Sequence, residues 1–277
     1  MFIRIGHEIV FNLPVPSAMM ALLYTLPDRA AHLRQPDSLR LEPNLPVTDF
    51  IDWFGNRCAR IAAPAGRLRI CNDFIVEDTG LPLPSYPDAV QHPVQDLPDA
   101  CLQFLLASRY CEVDRMSDIA WNLFGQIPTG WARVQAVCDW VYASVKFGYE
   151  YARPTKTAYD VYQERQGVCR DFTHLAVTFC RALNIPTRYA TGYLGDIGVP
   201  PDVNPMDFSA CFQVYLGGQW HTFDARHNHR RIGWILMATG RDAADCAITT
   251  TFGPAPLENF VVWAEEVDSP ELRDPRC

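Results

Sequence analysis

The sequence predicts an α+β protein: an N-terminal β-sandwich-like domain followed by an α+β core with an antiparallel sheet. Three observations carry this. The first 80 residues hold short β-rich runs separated by Pro and Gly turns, residues 81–98 are crowded with prolines, and from Asp99 the apolar periodicity turns helical before reverting to strands. We therefore expect 1–80 to form the first domain, 81–98 a Pro-rich linker and 99–277 the core.

In order along the chain, "IRIGHEIVF" alternates Ile3, Ile5, His7, Ile9 and Phe11 on one face, and "RLRICNDFIVED" is a second β-rich run. Between them "FGNRCARIAAPAGR" has turn residues at both ends. "LPLPSYPDAVQHPVQDLP" is extended, because proline cannot continue a helix interior. Val134, Val137, Cys138, Val141 and Val145 then recur at helical spacing. Residues 157–166 and 169–183 read as two further helices, the second ended by "NIP". "TRYATGYLG" follows as a strand, and "DIGVPPDVNPMD" as a polar loop. "FSACFQVYL", "GG" and "QWHTFDAR" form a hairpin on a two-residue Gly-Gly turn. The runs "IGWILMA", "AITTTFG" and "ENFVVWAEEV" are β-like, and no internal repeat is present.

Composition excludes several classes. The chain has 277 residues, 48% hydrophobic and 20% charged, which suits a folded core rather than disorder. A net charge of -8 without a basic run argues against a nucleic-acid partner. The 10 cysteines include no C-x-x-C pair, so zinc-finger and thioredoxin readings fail. Several lie on apolar stripes as small reduced hydrophobes, which suits a cytoplasmic protein. No signal peptide or membrane-spanning run is read, so no membrane partner is expected.

The chemistry concentrates at "QGVCRDFTHLAV". Phe172, Leu175, Ala176, Phe179 and Leu183 make one apolar helix face, and Cys169 opens that helix on its buried side. Backbone N–H groups and the positive dipole end there favour a thiolate, and the residue's own N–H is placed to hold an oxyanion. A nucleophile needs a base and an orienting acid. With Gly217-Gly218 as the hairpin turn, Leu216 pairs with Gln219, Cys211 faces Asp224, and Ser209 lies diagonally from Asp224 on the same sheet face.

"GVCRDFTHLAV", the later hairpin and "TFDAR" resemble the transglutaminase-like superfamily, whose core has the papain-like thiol fold. More closely, the whole chain resembles bacterial transglutaminase-like cysteine proteases with an N-terminal β-domain. The likeness covers nearly all of the sequence, including "FGNRCARIAAPAG", "GYLGDIGVPP" and "DARHN". The resemblance implies Cys169 as nucleophile and Asp224 as acid. The family's histidine, in a His-Ala-aromatic motif, falls on Ser209-Ala210-Cys211, so a serine stands where a base is expected. A hydroxyl cannot serve as general base near neutral pH.

Among the histidines, His227, just past the strand end, is the best replacement base, and His229 is a weaker one. His221 points to the opposite hairpin face and reads as a structural or surface residue. His174 lies on the polar side of its helix with Arg170, Asp171 and Arg181, where it is expected to hydrogen-bond a neighbouring element. Arg226 is expected to pair with an acid and hold the strand end. The resemblance implies a cysteine-dependent acyl-transfer enzyme, a protease or amidase acting on a peptide or protein substrate. It implies no metal and no organic cofactor. The alternative is an impaired or inactive binding protein that keeps the fold.

Overall fold

Ile3, Ile5 and Ile9 are buried along one long strand, β1 (Phe2–Leu13), in the computed structural model, which describes residues 1–277. The other strands of this part are β2 (Ser17–Ala21), β3 (Arg40–Glu42), β4 (Val47–Ile51), β5 (Arg57–Ala63) and β6 (Gly66–Glu77). β1 runs antiparallel to β6 along its whole length, from Phe2↔Glu77 to Leu13↔Gly66, and β3 adds to β6. β2, β5 and β4 form a second sheet. The two sheets close on each other through Ile5, Ile70, Met19 and Ile61, so the expected sandwich is present.

The helical part follows. It comprises α1 (Asp99–Leu102), α2 (Val113–Phe124), α3 (Trp131–Ser144), α4 (Ala158–Glu164) and α5 (Cys169–Ala182), with two short parallel strands, β7 (Lys146–Phe147) and β8 (Gln166–Gly167). Thr157 caps α4: its hydroxyl accepts the Asp160 N–H, and the Asp160 carboxylate accepts the Thr157 N–H in return. The Pro-rich stretch 81–98 is held against this part rather than hanging free. The Ala89 carbonyl accepts the Trp131 N–H at the start of α3, and the Val90 carbonyl accepts the Gly217 N–H.

Four antiparallel strands complete the core: β9 (Thr187–Tyr193), β10 (Ser209–Leu216), β11 (Gln219–Phe223) and β12 (Ile235–Gly240), in the order β11-β10-β9-β12. Gly217 and Gly218 take φ of +57° and +87° at the β10–β11 turn, the left-handed pair that such a two-residue loop needs. α5 lies on β9 and β10, with α2, α3 and α4 around it.

The last two strands leave the segment expected to be core. β13 (Thr249–Thr251) pairs with β2, and β14 (Leu257–Val267) pairs with β1 from Phe2↔Val267 to Phe11↔Leu257. Each covers what would otherwise be an exposed sheet edge. Tyr193, Phe208, Ile235 and Met237, in or beside the core's four-stranded sheet, share one cluster with Ile5, Phe74 and Val262, so the core and the sandwich have a continuous interior. His7 lies in it, with Nδ1 2.8 Å from the Tyr193 hydroxyl. Complete burial pushes its imidazole down to about 3, and it stays neutral.

The cysteine reading needs one correction. Cys71 and Cys277 form a disulfide with a Cα separation of 5.8 Å. The tail reaches Cys71 because the Arg276 N–H donates to Asp73 at 2.7 Å and Arg40 donates to the Cys277 carbonyl at 2.8 Å. These contacts span more than 200 residues, so no local spacing rule could show them. No helix is long and apolar enough to cross a membrane.

Candidate active site

The residues before α5 turn the chain sharply into the helix. β8 runs beside β7, Val168 is extended (φ −106°, ψ 178°), and Cys169 is the first helical residue. The Asp171 carboxylate reaches back to accept the Val168 N–H at 3.0 Å. Gly167 leaves room for this, since a Cβ there would come within 2.6 Å of the Asp171 Cβ. The Gly before the Cys is therefore required by the cap. The expected apolar face of α5 packs in the core, but its polar side is buried as well. His174 stacks on Tyr110 at 4.9 Å and its Nε2 accepts the Ala243 N–H at 3.1 Å. Arg181 donates to the carbonyls of Thr187, Leu106 and Arg241. The periodicity predicts a polar side, and its arginine is met by backbone carbonyls of other elements. His174 thus meets a neighbouring element, as expected, and lies away from the groove.

Of the eight free cysteines only Cys169 is not buried. It opens into a groove of about 640 Å³ that Asp207, Ser209, Arg226, His227 and His229 also line. Burial pushes the Cys169 thiol up to about 11, with the Asp207 carboxylate acting in the same direction. Arg226 and the backbone N–H groups of Ala210 and Arg170 oppose it. A helix start favours a thiolate; crowding outweighs it here, and the thiol rests protonated near neutral pH, though half-buried and within reach of solvent. Asp207 itself is exposed on the groove wall, yet crowding raises its carboxyl, with the Phe208 N–H and Arg226 pulling it back. Asp207→Asn should therefore lower the thiol's titration midpoint and speed iodoacetamide alkylation of Cys169 at pH 8.5. Arg226→Met should raise the midpoint and slow it. A pH series read by peptide mass spectrometry checks this; shifts in the same direction would contradict the placement of the two charges.

The hairpin register is the expected one, from Phe212↔Phe223 to Leu216↔Gln219. The ladder stops there, so Asp224 begins the following turn instead of facing Cys211 across a sheet. Ser209 is 8% exposed and lies on the groove wall, with its carbonyl accepting the Thr191 hydroxyl. The Asp224 side chain is enclosed, with 1% exposure, and does not line the groove. Its Oδ1 accepts the N–H groups of Arg226 and His227 at 3.0 and 3.1 Å. Its Oδ2 accepts from His227 Nδ1 at 2.6 Å. One carboxylate thus folds the turn and holds the imidazole, in the tautomer that leaves Nε2 without a proton. The His227 side chain is 18% exposed on the groove wall.

The other histidines separate from this pair. His229 lines the same groove, with Nδ1 3.0 Å from the His227 carbonyl. His221 Nε2 lies 3.1 Å from the Leu216 carbonyl, and its ring is buried against Tyr86 and Trp131, as its strand parity required. Arg226 does not form the expected ion pair with an acid; it lies over the Phe147 ring at 3.8 Å, where its charge acts on Cys169 and Asp207. Asp207 was missed by the sequence reading, although it stands two residues before Ser209 and so shares its side of an extended chain. No three His, Cys, Asp or Glu side chains converge to hold a metal ion.

The chain is similar to several known proteins. Residues 118–225, which include Cys169, Ser209 and Asp224, match the sequence model of the Transglutaminase-like superfamily. A solved structure from Cytophaga hutchinsonii, described as a "putative cysteine protease", is 33% identical with a TM-score of 0.80, over 97% of this chain and 91% of that one. An uncharacterized Mycobacterium leprae protein, ML0607, is 33% identical over 91 residues, which span 32% of this chain and 32% of that protein, so the likeness covers about a third of the relative's length. A more distant likeness, 16% identity and a TM-score of 0.40 over 81% of this chain and 90% of the other, is to the periplasmic domain of TgpA from Pseudomonas aeruginosa.

Proposed function

Because this chain belongs to the transglutaminase-like superfamily, we propose that it is a cysteine-dependent acyl-transfer enzyme acting as an amidase or protease on peptide or isopeptide bonds. One observation carries the reading: an Asp224–His227 pair opens on the same groove as the one free cysteine that is not buried. Cys169 Sγ attacks the amide carbonyl carbon as its proton passes to His227 Nε2. The new S–C bond leaves charge on the carbonyl oxygen, which the Cys169 N–H at the helix start stabilises. His227 returns the proton to the departing nitrogen, the C–N bond breaks, and a thioester remains. Water then attacks the thioester carbon, giving one proton to His227; the C–S bond breaks, the carboxylic acid leaves, and His227 returns the proton to the Cys169 sulfur. Asp224 orients and stabilises the imidazole. Ser209 hydrogen-bonds the water or substrate on the wall where the family's histidine would stand.

The raised thiol pKa supports general-base activation rather than a standing thiolate. Buried free thiols favour the expected cytoplasmic setting, while the Cys71–Cys277 disulfide favours an oxidising one. The decisive measurement uses p-nitrophenyl acetate with peptide mass spectrometry. We expect an acetyl adduct on the Cys169 peptide and a nitrophenol burst, both lost in Cys169→Ser. Ester turnover that survives the substitution, without an adduct, would reject the nucleophile.

A further inference from the structure

Cys169 stands at the junction of two spaces, a groove of mixed polar and apolar lining and a more apolar one. Tyr149, Cys169, Asp207 and Phe208 line both. On one side is the groove with Ser209, Arg226 and His227. On the other is a chamber of about 430 Å³ walled by Val168, Tyr189, Ala210, Cys246, Ile248 and Phe260. Phe260 comes from β14 and packs edge-on against Phe208, with ring centroids 5.7 Å apart. Ile248 immediately precedes β13. The strands that return to the sandwich therefore bring part of the wall.

The position of His227 orients a substrate between these spaces. The acid that protonates the leaving nitrogen must lie beside it, and His227 lines the groove but not the chamber. The leaving amine therefore occupies the groove, and the substituent on the other side of the scissile carbonyl points into the chamber. We propose that this chamber is the acyl-side binding site, which selects amides whose acyl group carries an aromatic or branched aliphatic side chain. The assignment rests on the reading of Cys169 as nucleophile and His227 as its acid–base partner. An apolar side chain loses water on entering such a wall, whereas a carboxylate would lose its hydration and meet Asp207 at the entrance. Arg170 and Arg153 at the rim offer it little, since Arg170 is engaged by Asp171 at 3.1 Å and Arg153 by Glu164 at 2.8 Å.

Chloromethyl ketones test this without an assay of turnover. The ketone carbonyl takes the place of the scissile one, and Sγ displaces chloride from the adjacent carbon while the thiol proton goes to the base. N-acetyl-Phe, -Leu, -Gly and -Asp chloromethyl ketones, with iodoacetamide as a small reference, are compared by the rate of Cys169 modification in the wild-type protein. We expect the Phe and Leu reagents to exceed the Gly reagent by about tenfold or more, with the Asp reagent slowest. Ala247→Phe, which fills the half-buried chamber wall, should remove the preference once each ketone rate is divided by that variant's own iodoacetamide rate. Equal rates across the four ketones, or the Asp reagent fastest, with normal iodoacetamide labelling, would overturn the chamber assignment and leave the nucleophile standing. No labelling by any reagent in the native protein, with full labelling after unfolding, would overturn both. If Ala247→Phe does not fold, the wild-type rates decide alone.

Discussion

Replacing His227 with alanine is expected to lower kcat for amide cleavage by about 10²–10⁴-fold, the usual worth of a positioned acid–base group. The expectation follows from two facts about the site. The thiol is pushed up to about 11, so at neutral pH its proton must be removed during attack. The imidazole held by Asp224 at 2.6 Å lies on the groove wall, with its Nε2 left to accept that proton. Because the ring is partly exposed, added imidazole should restore part of the activity in the alanine variant. Steady-state rates with and without imidazole, measured on a substrate that acylates Cys169, check both statements. A His227→Ala enzyme within threefold of wild type would remove the imidazole from the mechanism. Ser209→His would then become the informative variant, since it restores the family's residue at the family's position.

Asp224→Asn should be nearly as damaging, a loss of about 10³–10⁴-fold, for a different reason. The amide oxygen can still accept the Arg226 and His227 N–H groups that build the turn. Its NH2 group would then face His227 Nδ1 as a donor. That favours the tautomer with the proton on Nε2, which cannot act as a base. The fold should survive, so the melting temperature and the iodoacetamide accessibility of Cys169 should stay close to wild type while kcat collapses. Asp224→Ala removes the turn's acceptors as well, and should lose stability in addition. Wild-type turnover in the asparagine variant would show that the carboxylate only shapes the chain.

Much of this was readable in the linear chain. The alternation in β1, the Gly-Gly turn with its register and the helix start at Cys169 all follow from rules that act over a few residues, whereas the serine in place of a histidine is what the family resemblance implies. Those rules depend on local dihedral preferences and on side-chain period, so they need no knowledge of what packs nearby. Asp207 was legible by the same parity that placed Ser209, but an acidic residue in a polar loop carries no signal until a cysteine is known to face it.

The rest was decided in three dimensions. Strand parity could not aim His227, because the ladder ends at Phe223 and the turn is shaped by two N–H bonds to the Asp224 carboxylate. Helical periodicity marks one side of α5 as polar, yet that side is buried, with Arg181 bonded to distant carbonyls and His174 Nε2 to the Ala243 N–H. The return of β13 and β14 to the sandwich closes edges presented by strands some 230 to 260 residues earlier in the chain. The resting state of the thiol went the same way. A helix N-terminus favours the thiolate wherever it occurs, but desolvation and the nearness of Asp207 and Arg226 exist only once the chain has folded around Cys169. The sequence alone determined which atoms could do the chemistry. Packing, which sets turn geometry, dielectric and long-range pairing, determined which of them meet.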